Sequence, residues 1–327
     1  MQYRRLGKTG FDVSEIGLGT WQLGGKWGTT FDEKTAEKIL ETSIDQGINF
    51  LDTADVYNSG LSEKAIGKAL RRHKQRIFVA TKCGRQIKPH VDEGYQPSVL
   101  RRYVEESLQR MKVEKLDLVQ LHCPPTQVYY RPEIFELFDR LKDEGKILNL
   151  GVSVQKVEEA LKSIEFDNVT SVQLIFNVFR QRPAERFFTE AHKKNVGIIV
   201  RVPLASGLLS GKFNRNSQFD KEDHRHFNRE GARFDRGETF SGIPFEKGID
   251  IVAELENLLP GRNLVHTALQ WILTYPEIST IIPGASRPEQ VIDNIKSLSA
   301  PPLTTAEKEK IDGLYEVSVK RLVHQRW

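Results

Sequence analysis

Three apolar stretches of this 327-residue chain run into ionisable side chains: Phe50-Leu-Asp52, with Asp55 and Tyr57 just beyond, Ile77 to Lys82-Cys83, and Leu118 to His122-Cys123. A lysine closing a run such as IFVATK is expensive to bury unless its charge is balanced. Asp52, at a similar depth one run away, is its natural counter-ion. Alone, that pair reads equally well as a structural ion pair. Tyr57 and His122 widen what the set can do. A free phenol titrates near about 10 and is a poor acid at neutral pH. An ammonium beside it stabilises phenolate and lowers that value, which makes Tyr57 a workable proton donor. A neutral imidazole on His122 would hold a carbonyl oxygen in line with the phenol. The chemistry these four suggest is proton delivery to a carbonyl.

Such groups need a scaffold that brings strand ends together. Eight short runs rich in Val, Ile, Leu and Phe, at 15–21, 48–54, 77–83, 116–122, 147–153, 171–177, 196–203 and 280–286, are nearly continuous rather than alternating. This suits parallel strands covered on both faces. Between most of them lie stripes at helical spacing, such as Ala36, Ile39, Leu40 and Ile44 before Gly47, or Phe135, Phe138 and Leu141 before Gly145. Ser62 is expected to cap the second helix. Eight strand–helix units predict one (β/α)8 barrel domain over residues 1–327, with its active site at the C-terminal strand ends. An open doubly wound sheet would want GxGxxG after the first strand, and Gly17-Leu-Gly19-Thr-Trp-Gln lacks the third glycine.

Three segments stand outside the repeat. Residues 3–14 predict a hairpin plugging the barrel floor, 212–245 form a long insertion of the kind that makes lids or disordered loops, and Thr304-x-x-Glu307 is a capping box for a terminal helix. Lys+Arg 48 against Asp+Glu 44 leaves +4, which points to neither nucleic acid nor a membrane surface. No apolar run reaches membrane-spanning length and no secretory signal is evident, so a cytoplasmic protein is expected. Two cysteines make no disulfide framework, and alternation turns Cys83 and Cys123 away from the lumen. HExxH, CxxC and Walker patterns are absent, so no metal site is expected. Trp21 is assigned to the substrate pocket, and Trp27, Tyr129 and Tyr130 to mouth loops. Oligomeric state stays open, a monomer being compatible.

Asp52, Tyr57, Lys82 and His122 resemble the catalytic tetrad of the aldo-keto reductase superfamily, in its bacterial branch. Further matches are Gly-Val-Ser at 151–153, SVQLIFN at 171–177, PLASGLLSGK at 203–212 and IPGASRPEQVIDN at 282–294. The resemblance implies metal-free, reversible, NADPH-dependent reduction of aldehydes or ketones, with NADH a weaker cofactor. It implies that Ser153 and Gln173 bind the nicotinamide carboxamide, and that Leu204, Ser206, Leu208, Ser210 and Lys212 lie along the pyrophosphate. Gly284, Ser286, Arg287, Gln290 and Asn294 would surround the adenosine 2′-phosphate and adenine. An NADPH-binding regulatory or sensor subunit with weak turnover is the alternative.

Some positions depart from that pattern. Val154 stands where many members have Asn, and Arg201 where many have an aromatic that stacks on the nicotinamide. A guanidinium there should disfavour cationic NADP⁺ relative to NADPH. Gly284 and Gln290 replace basic residues found in some relatives, which leaves the 2′-phosphate mainly to Arg287.

Overall fold

The computed structural model describes residues 1–25 and 30–327; Trp27, expected in a mouth loop, lies outside them. A short antiparallel pair, β1 (Tyr3–Arg5) and β2 (Asp12–Ser14), precedes eight parallel strands in sequential order. These are β3 (Leu18–Gly19), β4 (Phe50–Asp52), β5 (Phe78–Cys83), β6 (Leu116–His122), β7 (Ile147–Ser153), β8 (Val169–Ile175), β9 (Gly197–Arg201) and β10 (Ile278–Ile281). Parallel bridges Ile16↔Ile281 and Gly19↔Gly284 close the cylinder. The closing edge needs Gly19, where a Cβ would sit 2.8 Å from the Ile282 carbonyl oxygen. The fold is the expected (β/α)8 barrel with an N-terminal hairpin and long mouth loops.

Around it run α1 (Glu33–Asp45), α2 (Leu61–Arg72), α3 (Pro97–Met111), α4 (Pro132–Asp143), α5 (Val157–Ser163), α6 (Phe187–Lys193), α7 (His224–Phe227), α8 (Phe245–Leu258), α9 (Leu264–Leu273), α10 (Pro288–Lys296), α11 (Thr305–Leu314) and α12 (Lys320–Val323). Their apolar stripes join the outer face of the sheet in one continuous core. A second, smaller core fills the floor: Leu6, Phe11 and Val13 of the hairpin region pack under Phe50, Ala80, Leu118, Ile199 and Ile282. Arg4 lashes the hairpin down, pairing with Glu15 at 2.6 Å and donating to the Ile278 carbonyl.

Local differences from the sequence expectation have local causes. The first and last barrel strands are shorter than the apolar runs because the chain leaves the ladder at the closing edge. Ser62 does not cap α2; left-handed Gly60 does, and the Ser62 hydroxyl is buried between Thr20 and Thr53. The insertion 212–245 is an ordered cover rather than a disordered loop. Phe213, Phe219, Phe240 and Phe245 form its aromatic core, and the Arg225 guanidinium lies 4.8 Å from the Phe219 ring centroid. Its last residue already belongs to α8, a helix whose stripe of Phe245, Gly248, Ile251, Val252 and Leu255 the strand-led expectation passed over. The capping box of α11 forms as expected.

Candidate active site

Parallel register stacks the polar groups in two layers at the C-terminal end. Asp52 pairs across from Ala80, and Lys82 from Gln120, while His122, Ser153 and Gln173 stand side by side on β6, β7 and β8. Lys82, 1 % exposed, places its Nζ 2.5 Å from Asp52 Oδ1, 2.8 Å from the Thr53 carbonyl oxygen and 3.4 Å from the Tyr57 hydroxyl. The other Asp52 oxygen accepts from Gln173 Nε2 at 2.6 Å and from Gln120 Nε2 at 3.2 Å. The buried carboxylate is therefore bonded on both oxygens. That full satisfaction lets an ion pair sit in a low-dielectric wall.

Tyr57 comes from the turn after β4, where Asn58, Ser59 and Gly60 follow in left-handed conformations. Its ring stands edge-on to His122 with centroids 6.0 Å apart, and Lys82 Nζ lies 5.0 Å from its centroid. Burial raises the Tyr57 pKa above the ordinary phenol value, and the opposing pull of Lys82 reduces that rise without cancelling it. The net acidification expected from the sequence is thus reversed here, because burial outweighs the pull of the ammonium and Asp52 adds to the rise. Burial works against the Lys82 ammonium too, but the Asp52 charge and then Tyr57 outweigh it and raise its pKa. His122 is held neutral, well below the usual imidazole range, by burial and then by Lys82, Arg85 and Arg201. Its Nδ1 is buried without a partner among the described residues.

The cofactor-side residues divide by what they touch. Ser153 Oγ lies 3.4 Å from Gln173 Oε1 and 3.5 Å from Cys123 Sγ. Cys123 therefore faces the rim, against the alternation argument: it sits one residue past β6 with φ 47°, where strand periodicity no longer applies. Cys83 is buried in the outer core as expected. Arg201 donates to the Val154 carbonyl at 3.1 Å and pairs with Glu238 of the insertion at 3.6 Å, while its Nε finds no partner among the described residues.

Ser206 Oγ donates to the Glu238 carbonyl and accepts from Phe240 N–H, so it anchors the insertion. The Leu208 side chain lies in the core, and Leu204 packs partly buried against it. Ser210 Oγ donates to the Gly207 carbonyl, and Lys212 is exposed. Across the loop after β10, Gln290 Oε1 accepts from both the N–H and the hydroxyl of Ser286, Gly284 is exposed and Asn294 is buried. Arg287 is exposed at the N-cap of α10, with no ion pair among the described residues.

Just past β3, Trp21 meets His224 of the insertion edge-on, with centroids 4.8 Å apart. Tyr129 is fully buried and Tyr130 exposed, so neither ring divides its surface between wall and solvent. The sequence reading missed Gln120, which shares an inward face with His122 two residues on, and Glu238, which no local pattern announces. These groups suit a nicotinamide dinucleotide: an unpaired guanidinium at a helix N-terminus for phosphate, and orphaned nitrogens of His122 and Arg201 at the rim. Among the described residues no three metal-ligating side chains cluster and no helix is long and apolar enough to cross a membrane.

A closed barrel with a buried Asp–Lys pair and a half-buried Tyr and His at its C-terminal rim defines a class of oxidoreductase. The profile of the Aldo/keto reductase family matches residues 15–316, and the chain belongs to that family. The uncharacterized oxidoreductase YqkF of Bacillus subtilis is 30% identical over 94% of each chain. Among solved structures, aldo-keto reductase AKR11C1 from Bacillus halodurans in its holo form superposes with TM-score 0.77 at 30% identity, over 96% of each chain. The glycerol dehydrogenase AKR11B4 from Gluconobacter oxydans gives 0.78 at 28%, over 98% of this chain and 96% of its own. The protein is an NAD(P)H-dependent oxidoreductase acting on small carbonyl compounds.

Proposed function

We propose that the protein catalyses NADPH-dependent, reversible reduction of aldehydes and ketones, with Tyr57 as the proton donor and residues 1–327 acting as one domain. The observation that carries this reading is Lys82 Nζ, set between Asp52 Oδ1 at 2.5 Å and the Tyr57 hydroxyl at 3.4 Å. A bound dihydronicotinamide supplies hydride to the carbonyl carbon. Burial keeps the Tyr57 phenol protonated at neutral pH, and Lys82 receives the negative charge left when that proton goes to the carbonyl oxygen. Neutral His122 orients that oxygen, and Asp52 keeps Lys82 charged and in place. Ser153 and Gln173 hold the carboxamide, the loop from Leu204 to Lys212 follows the pyrophosphate, and Ser286, Arg287, Gln290 and Asn294 receive the adenosine end. Arg287 supports NADPH over NADH. Residues 123–132 and 212–245 choose the substrate.

The test is loss of NADPH absorbance with 4-nitrobenzaldehyde. Tyr57→Phe is expected to lower turnover by about 10²–10⁴-fold while leaving NADPH binding intact. Near-normal turnover in that variant would remove Tyr57 from the role. NADPH binding with feeble wild-type turnover on a broad carbonyl panel would favour the regulatory-subunit alternative.

A further inference from the structure

The insertion delivers one carboxylate to the rim, and its anchoring is unusually elaborate. Glu238 lies 3.6 Å from Arg201, whose other nitrogen reaches the Val154 carbonyl at 3.1 Å and Cys123 Sγ at 3.7 Å, beside Ser153. The turn before Glu238 is gripped by Trp327, a residue far away in sequence. The Trp327 indole N–H donates to Asp235 Oδ2 at 3.1 Å, and Asp235 Oδ1 accepts from Gly237 N–H at 2.8 Å. A Cβ on Gly237 would lie 2.8 Å from the indole, and one on Gly242 2.2 Å from it, so the ring is seated directly on this backbone. Arg180 borders both ring and turn: its guanidinium lies 4.5 Å from the ring centroid, and a Cβ on Gly237 would meet its Nη1 at 2.3 Å. On the other flank, Ser206 Oγ holds the Glu238 carbonyl at 3.0 Å.

We infer that Glu238, held in register by Trp327, is the counter-ion that sets how strongly the rim discriminates oxidised from reduced nicotinamide. Arg201 alone would repel the cationic oxidised ring and leave the neutral reduced ring untouched. Glu238 offsets that repulsion, so both forms are tolerated and the reaction stays reversible. Trp327 is then a positioning residue: it touches neither cofactor nor substrate and acts through the turn that carries Glu238. The inference rests on the proposed placement of the nicotinamide end at this rim.

The experiment measures dissociation constants of NADP⁺ and NADPH by calorimetry on the intact protein, without turnover. Glu238→Gln is expected to raise the ratio Kd(NADP⁺)/Kd(NADPH) by on the order of tenfold. Trp327→Ala should raise it in the same direction by less, and Trp327→Phe, which keeps the ring on the turn, should restore most of the wild-type ratio. Adding Arg201→Met to Glu238→Gln should bring the ratio back down. A Trp327 role in stability alone would weaken both forms equally and leave the ratio unmoved, and an unmoved ratio in Glu238→Gln with both forms bound overturns the assignment. If the wild-type protein bound neither form, the cofactor placement itself would fall instead.

Discussion

The inward faces of β4, β5, β6 and β9 change character within two residues. At the floor they present Phe50, Ala80, Leu118 and Ile199, closed off by Leu6, Phe11 and Val13. One pleat higher they present Asp52, Lys82, Gln120 and Arg201, all buried. Strand geometry puts residues i and i+2 on the same face, so floor and rim share a backbone and differ only in what is mounted on it. The floor is stable because nothing there needs a partner. The rim holds because every charge in its lower layer has one: Asp52 takes three donors, Lys82 two acceptors and a phenol, and Arg201 a carboxylate from the insertion. Loss of a floor residue leaves a void; loss of a rim residue leaves a charge.

The sharpest separation of the two layers is Lys82→Met. It strands Asp52 in the wall with only the amides of Gln120 and Gln173, so unfolding free energy should fall by about 3–5 kcal/mol and turnover by at least about 10²-fold. Adding Asp52→Asn should recover most of the stability and none of the turnover. Urea unfolding and NADPH oxidation of both variants check this, and wild-type stability in the single variant would dissolve the distinction between layers.

Directly beneath, Leu118→Ala should cost about 2–5 kcal/mol through the cavity it opens. In protein kept folded by low temperature, kcat and KM for NADPH should stay within about twofold, because the polar layer is tied to itself and not to Leu118. A tenfold drop in kcat for the folded variant would mean that floor packing sets the geometry of the rim.

How much of this was legible before the structure depended on how local the cause was. The Asp52–Lys82 pair was readable because a lysine inside an apolar run demands a partner, and the barrel because its strand–helix period repeats. Gln120 was equally readable from alternation with His122, but an amide carries no charge to draw notice. Cys123 was misplaced because alternation was extended one residue past the end of β6, where φ turns positive. Ser62 was misplaced because the cap logic sees only its own helix, whereas its hydroxyl bonds Thr20 at the end of the neighbouring strand. Glu238 and Trp327 were out of reach altogether. Their roles exist only once the insertion folds back on the barrel and the far end of the chain packs on the insertion. The phenol's proton affinity was also out of reach, since its sign depends on how far burial outweighs the neighbouring ammonium.

Asp55 tests the boundary of the comparison, because it is a buried rim carboxyl that no cation completes. It is 2 % exposed, its Oδ2 accepts from Gln86 at 2.9 Å and its Oδ1 has no partner among the described residues. Burial pushes its pKa up to about 7, with Glu63 adding to the rise and Gln86 and Arg110 opposing it. An unfolded Asp titrates near about 3.9, so between roughly pH 4 and 7 the native state keeps a proton that the unfolded chain releases. The stability from this group is therefore complete at the acid end of that window and is lost as pH rises through 7. Asp55→Asn removes the titration but leaves an amide in place of the orphaned oxygen, which itself costs about 1–3 kcal/mol. The variant should be less stable than wild type at pH 4 and about 1–3 kcal/mol more stable at pH 8, so the two stability curves cross. Urea midpoints measured across that range decide it. Parallel curves would mean that Asp55 is ionised throughout, and the rim would then tolerate an unpaired carboxylate that the floor-and-rim contrast says it should not.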